Sequence, residues 1–242
     1  MSKKKIKNPA FTIAKRELKA FFASPIPYIV TSLFLIISGI WFFSEFFLRG
    51  TAEMRYFFAR LPLLFSVFVP ALTMRLFSEE RKSGSIETLL TLPVNETQVV
   101  MGKYLASLIG TLCMLVPTVF YAITVGIFGD PDMGPLLCGY IGAVFLSAAY
   151  TSIGLFASSI TKNQIVAFFT GLIICVVLAL IDEFLVFFPG KIVNFFSFLS
   201  ANAHFTSISR GIIDTRDIVY FISLTALFLV LTVRTEKSHR NS

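Results

Sequence analysis

Apolar residues along the chain form long continuous runs that are separated by short polar segments. A helix needs about 20 mostly apolar residues to cross a bilayer. By that measure the pattern predicts six membrane spans, at residues 26–47, 56–77, 104–128, 135–160, 164–183 and 218–233. Pro62 and Pro70 interrupt the second span, which reaches full length only if Arg60 and Arg75 extend their charged groups to opposite interfaces.

Two further segments have helical patterns but cannot cross a membrane. In the basic segment 1–25, Ala10 to Ala23 has the apolar spacing of an amphipathic helix lying in the interface, and its charges argue against a cleaved signal peptide. Segment 184–217 is too short in apolar residues for a span. It carries one apolar stripe, which predicts a short re-entrant helix in the outer leaflet: Ile192, Phe195, Phe196 and Leu199.

Composition agrees with a membrane protein. The chain has 242 residues, of which 55% are hydrophobic and 14% charged, and 28 are Phe, far from the averages of soluble domains. We therefore expect an all-α integral membrane protein with a single transmembrane domain, residues 1–242. The net charge of +7 sits beside apolar spans and not on a separate polar domain with interleaved aromatics, which argues against nucleic acid as a partner.

The sequence offers no catalytic or metal site. Cys113, Cys138 and Cys175 are odd in number, lie within apolar runs and lack CxxC spacing, so neither a disulfide framework nor a metal site is supported. Asp182 and Glu183 fall at one end of the fifth span, which favours an interfacial position; paired acid/base chemistry is the minor alternative.

No phosphate-binding loop is present either. Gly102-Lys103 and Gly190-Lys191 both lack the upstream Gly of a P-loop. If the protein uses ATP, another chain must bind the ATP and its Mg.

The longest polar interruption, residues 75–103, contains two helical fragments. Ser85 can cap a short helix whose apolar stripe is Ile86, Leu89 and Leu90, and Pro93 ends that helix. Glu87 lies in its first turn, where the helix dipole favours an anion.

The flanks of this short helix also carry signals. Gly84 supplies the backbone freedom for a sharp turn before it. Asn95 and Gln98 form a capping box that predicts the start of the next helix. The apolar stripe has no partner within the loop, so either it lies on lipid headgroups or it docks into a groove on another protein.

A family resemblance favours docking. The segment resembles the pattern E-[RK]-x-x-G-T-x-E-x-L-L-x-x-P, followed after nine intervening residues by K, of ABC-2 type transporter permeases. The matching residues are Glu80, Arg81, Gly84, Ser85, Glu87, Leu89, Leu90, Pro93 and Lys103. Ser85 departs from the usual Thr but keeps the capping hydroxyl. In that family the segment between the second and third spans is the coupling helix.

The resemblance implies an ATPase-coupling interface within a cytoplasmic loop at residues 78–103. Its expected members are Glu80, Arg81, Gly84, Ser85, Ile86, Glu87, Leu89, Leu90 and Pro93. The segment from His204-Phe205 through Arg210-Gly211 to Tyr220-Phe221 looks further like the gliding-motility-associated and nitrous-oxide-accessory branch of the family.

The function implied is that of a permease subunit in an ATP-driven exporter. It would pair with a second copy or a homologous permease, sit among membrane lipids, and bind ATP-binding subunits that hold ATP and Mg. The substrate and its path do not follow from the sequence. A membrane scaffold without transport would share the loop and the topology, whereas a secondary transporter should show inverted repeats or charges at the midplane.

Charge asymmetry predicts the orientation. Of the 21 lysines and arginines, 15 lie on the side of both termini and of loop 78–103. Because basic residues accumulate on the cytoplasmic side, we expect both termini and the loop to be cytoplasmic, in a bacterial inner membrane.

Overall fold

The computed structural model describes residues 9–50, 53–84, 95–184 and 198–241. These residues form α-helices and contain no β-strand. The helices are α1 (Pro9–Ala23), α2 (Ile26–Arg49), α3 (Arg55–Thr73), α4 (Ser78–Ser83), α5 (Glu96–Leu115), α6 (Val119–Phe128), α7 (Met133–Ser159), α8 (Gln164–Phe184), α9 (Ala201–Ser209) and α10 (Thr215–Asn241).

Six stretches of this chain are long and apolar enough to cross a membrane. They are Ile26–Leu48, Arg55–Ser83, Glu96–Phe128, Met133–Ser159, Gln164–Phe184 and Thr215–Arg240. The predicted all-α membrane architecture with six spans is therefore confirmed. We call the end of the bundle that carries α4 and the start of α5 the Lys103 end, and the end that carries α9 the His204 end.

Helices α3 and α7 form the centre of the bundle. Gly139 and Gly154 of α7 lie directly against Phe58 and Thr73 of α3, so closely that an added Cβ at either position would overlap the α3 side chain. The span that contains α3 is 67% buried, against 28% for those of α2 and α8. Its prolines and arginines weaken the hydropathy signal of this span in the sequence. A larger share of it is nevertheless buried than of any of the other five spans.

Helix α1 forms as predicted, but it packs on protein as well as facing outwards. Gly102 and Gly110 lie on the surface of α5 beneath Ile13 and Phe21 of α1, and a Cβ on these glycines would come within 2.8 and 2.7 Å of those side chains. The two missing side chains therefore let α1 lie close along α5.

Helix α5 begins earlier than the predicted third span. The capping box of Asn95 and Gln98 is present, and it starts the helix at Glu96 and not at residue 104. Lys103 is consequently an interior helical residue. Near the middle of the same span, Pro117 lacks a backbone donor, and a short 3-10 turn separates α5 from α6 there.

The last helix also exceeds its predicted span. Helix α10 continues to Asn241, beyond Val233, where the apolar run ends. Hydropathy marks only where the apolar run stops. The helix continues beyond that point because its polar residues form ion pairs with α4 and α5.

The predicted re-entrant segment is described from residue 198 onwards. Helix α9 occupies part of it and buries Phe205 and Ile208 against the bundle, next to Gly142 of α7. Three residues of the predicted stripe, Ile192, Phe195 and Phe196, lie outside the described residues.

Candidate functional site

Lys103 is the buried centre of a charge cluster at the Lys103 end. Its side chain is 0% exposed. Its ammonium group lies 2.8 Å from Glu80 Oε1 and 3.3 Å from Glu17 Oε2, and donates to the backbone oxygen of Leu76 at 2.8 Å. Because a buried ammonium is costly without such partners, the three oxygens fix where α1, α4 and α5 meet.

Arg16 balances the charge of this cluster. Its guanidinium lies 2.7 Å from Glu17 and 4.0 Å from Glu80, so two cations face two carboxylates. Burial alone would raise the pKa of Glu17, but Lys103 and Arg16 outweigh burial and lower the pKa below its ordinary value of 4.5. Glu17 is therefore held ionised.

A second buried pair joins α4 to α10. Arg81 Nη2 lies 2.6 Å from Glu236 Oε1, and both side chains are 6% exposed. Glu236 belongs to the part of α10 that extends beyond the apolar run. The polar extension of α10 is thus bound to α4 through Arg81, the residue that follows Glu80.

A third pair joins α10 to the start of α5. Arg240 lies 2.5 Å from Glu96, the first residue of α5. Helix α10 therefore holds both flanks of segment 85–94, at Arg81 on one side and at Glu96 on the other. We call these three linked groups the ion-pair frame: Arg16, Glu17, Glu80, Arg81, Glu96, Lys103, Glu236 and Arg240.

An apolar cluster lies beneath the frame. Phe77, Val100 and Leu155 are buried together with Val99 and Tyr104, and Val233 of α10 packs against them. The Phe77 ring also lies 5.2 Å from the Lys103 ammonium. The frame is therefore continuous with the packed core of α5, α7 and α10.

The chain leaves α4 through Gly84. This residue has φ +72°, in the left-handed region where a residue with a Cβ is strained. Before α4 in the chain, Arg75 makes a two-pronged ion pair with Glu79, at 2.7 Å for both contacts, and donates to Ser24 at 3.1 Å. Helix α4 is thus held by α1, by the α1–α2 junction and by α10 before the chain turns away.

Three of the residues expected at the coupling interface are described, namely Glu80, Arg81 and Gly84. Glu80 and Arg81 point into the frame, and Gly84 forms the turn. The other members lie outside the described residues: Ser85, Ile86, Glu87, Leu89, Leu90 and Pro93.

Sequence reasoning missed Arg16, Glu17, Glu96, Glu236 and Arg240 as parts of this site. A signal existed for Glu17, because α1 alternates charged and apolar residues and one carboxylate stands among three cations. For Glu236 and Arg240 the only signal was a helix-compatible polar tail after the last apolar run.

At the His204 end of the bundle, a His–Asp contact joins two helices. His204 Nδ1 lies 2.6 Å from Asp217 Oδ1, and Nε2 donates to the backbone oxygen of Phe198 at 3.0 Å. The imidazole stacks on Tyr220 with 4.1 Å between ring centres. Residues that carry the resemblance in the tail, His204 and Tyr220, therefore join α9 to α10.

Comparison with known proteins identifies the family. A family model described as an ABC-2 family transporter protein matches residues 11–235. A search of curated proteins finds no match. The match confirms the resemblance seen between Glu80 and Lys103, while the narrower branch stays a prediction. It runs from α1 through most of α10, so the chain belongs to the ABC-2 transporter family and is the membrane component of an ABC transporter.

Proposed function

We propose that the chain is the permease of an ATP-driven exporter and that segment 85–94 receives the motion of a separate ATP-binding subunit. The observation that supports this most is the ion-pair frame, which holds both flanks of the segment. Arg81 before it and Glu96 after it are each bonded to α10. A segment held in this way can pass a displacement directly into a membrane helix.

The buried pairs make that transfer stiff. Moving α4 away from α5 or α10 would separate Glu80 from Lys103 or Arg81 from Glu236. Breaking a buried pair by removing one partner costs about 3–5 kcal/mol. Small displacements at the segment therefore move α4, α5 and α10 together.

Within this proposal the predicted interface residues divide into two groups. Glu80 and Arg81 are positioning residues, because their charged groups are directed into the frame. Contact with the ATP-binding subunit falls to the apolar stripe Ile86, Leu89 and Leu90, with Glu87 beside it. Gly84 allows the chain to turn from the first group to the second.

The orientation of the bundle belongs to the same proposal. Because 15 of the 21 basic residues belong to the side of both termini and of loop 78–103 in the predicted topology, we expect the Lys103 end to face the cytoplasm of a bacterial cell and the His204 end to face outwards. In a background without Cys113, Cys138 and Cys175, a Cys at Met133 should react with an impermeant reagent in intact cells. A Cys at Ser238 should react only after permeabilisation; labelling of Ser238 in intact cells would overturn the orientation.

The proposed assembly contains two permease copies, or this chain and a homologous one, with two ATP-binding subunits that hold ATP and Mg. Native mass measurement after co-expression with an ATP-binding subunit should give this composition. A stable and active complex with one permease would contradict it.

A scaffold without transport would also hold an ATP-binding subunit, so the two functions need a separate test. A fluorophore on a Cys at Met133, at the His204 end, should change its signal on addition of ATP and Mg if motion crosses the bundle. A signal that stays constant while ATP is hydrolysed would favour the scaffold.

A further inference from the structure

A cavity of about 490 Å³ opens between α2, α3, α8 and α9 at the His204 end, far from the ion-pair frame. Its volume is within the range of small-molecule sites. The lining residues are Trp41, Phe42, Ser44, Glu45, Tyr56, Phe57, Ala59, Arg60, Leu64, Glu183, Asn202 and Thr206. Four separate helices contribute to it, so it is a feature of the folded bundle and not of one loop.

The cavity presents two opposite charges that do not pair with each other. Arg60 and Glu183 both line it, and neither has an ion-pair partner within residues 9–50, 53–84, 95–184 and 198–241. The Arg60 guanidinium instead lies over the Trp41 ring, 5.8 Å from its centre. A cation and an anion that share a cavity without joining are suited to a ligand that carries both charges.

Among the described residues, more carboxylates than cations lie at the cavity. Glu45 also lines the wall, and Asp182 lies behind it, where one oxygen accepts from Asn202 at 2.9 Å. The other oxygen of Asp182 is buried and has no donor among the described residues. Glu183 disfavours a purely anionic ligand and favours one that brings a positive group.

The remaining wall is aromatic and reaches into the apolar part of the bundle. Trp41, Phe42, Tyr56 and Phe57 line it. Trp41 lies eight residues before the end of α2 at Arg49, which corresponds to about 12 Å of helix rise. Trp41 is 41% exposed, so its ring offers surface to an apolar chain bound in the cavity.

We propose that this cavity binds a zwitterionic amphiphile, with its phosphate or carboxylate at Arg60, its ammonium group at Glu183 and its hydrocarbon against the aromatic wall. The chemistry is that of a phosphoethanolamine headgroup on an acyl chain. This site goes beyond the proposed function, because its binding needs neither segment 85–94 nor an ATP-binding subunit.

The chain contains a single Trp, and it is in this wall. Fluorescence of Trp41 in the purified full-length protein therefore reports on the cavity. Titration with a short-chain phosphatidylethanolamine should give a saturable change. Phosphatidylglycerol of the same chain length and an alkyltrimethylammonium should give none at the same concentrations, and free phosphoethanolamine should bind at least tenfold more weakly.

Two variants test the charged contacts, each with a matched control at the same end. Arg60→Gln and Glu183→Gln should each raise the Kd for the phosphatidylethanolamine about tenfold or more. Arg210→Gln and Asp130→Asn, which lie outside the cavity, should leave the Kd unchanged.

The possible contrary results are distinct. An unchanged Kd in both cavity variants, or equal binding of phosphatidylglycerol, would overturn the site. Equal binding of the alkyltrimethylammonium would remove Arg60 from it, and equal binding of free phosphoethanolamine would remove the requirement for an apolar chain. None of these results depends on whether ATP drives the protein.

Discussion

Lys103 Nζ lies 2.8 Å from Glu80 Oε1, so the last residue of the family motif forms an ion pair with the first. All of segment 85–94 lies between them along the chain. The pair joins the residues on either side of this segment, and Glu17 brings α1 to the same point. The lysine thus ties the two flanks of the motif together.

Replacing Lys103 with Met should destabilise the protein strongly. The variant removes a fully buried ammonium from the partly buried carboxylates of Glu17 and Glu80, and loss of one member of a buried ion pair costs about 3–5 kcal/mol. Unfolding of the purified protein by increasing SDS in mixed micelles measures the change. Lys162→Met, at an exposed turn, is the control and should change the free energy by less than about 0.5 kcal/mol. Equal stability of the two variants would show that the cluster contributes nothing.

Exchanging the charges of Arg81 and Glu236 should show how much of the protein's stability depends on the ion pair and how much on each residue alone. Arg81→Glu and Glu236→Arg each place two like charges together in a buried site and should destabilise by about 3 kcal/mol or more. The double variant should recover at least half of that loss, measured as a coupling energy in a double-mutant cycle. A double variant whose loss equals the sum of the two single losses would argue against direct coupling.

The frame should weaken in acid. The pKa of Glu17 is lowered from 4.5 in the folded protein, so the stability that Glu17 contributes is present above that value and is lost as the pH falls through the lowered pKa. The difference in unfolding free energy between the wild type and Glu17→Gln should therefore be largest at neutral pH and shrink below about pH 4.5. Glu53→Gln, at an exposed position on the opposite end, serves as the control. A difference that stays constant down to about pH 3 would contradict this role.

Contact between α3 and α7 should not tolerate a methyl group. Gly154→Ala places a Cβ against Thr73 and should destabilise by about 1–3 kcal/mol, because a packed core resists added volume. Gly126→Ala has no atom within 4 Å of the new Cβ and should be neutral or stabilising, since Ala favours helix over Gly. Thermal unfolding of both variants in one detergent makes the comparison. A Gly154→Ala protein as stable as Gly126→Ala would mean that the two helices are not in close contact.

Much of this fold could be predicted from the sequence because membrane spans depend on local properties. Hydropathy over about 20 residues finds the apolar helices, and the capping box of Asn95 and Gln98 marks the start of α5. The motif from Glu80 to Lys103 identified the family.

The ion-pair frame could not be predicted in the same way. Glu17, Glu80 and Lys103 are far apart along the chain, and their meeting depends on α1 lying on Gly102 and Gly110 of α5. In sequence, an isolated charge beside an apolar run is consistent with an exposed interface. Only the packing of α1 and the extension of α10 convert those charges into buried partners.

We propose that segment 85–94 docks on an ATP-binding subunit and that the frame holds it for that purpose. The most direct measurement is co-purification of the ATP-binding subunit with Leu89→Ser/Leu90→Ser and with Glu87→Lys, at equal permease abundance. Burying each Leu in a partner groove contributes about 1.5–3 kcal/mol, so the double Ser variant should lose most of the bound subunit. Glu87→Lys should insert normally but bind more weakly or fail to stimulate ATP hydrolysis. Normal co-purification and normal ATPase stimulation by both variants would contradict the account.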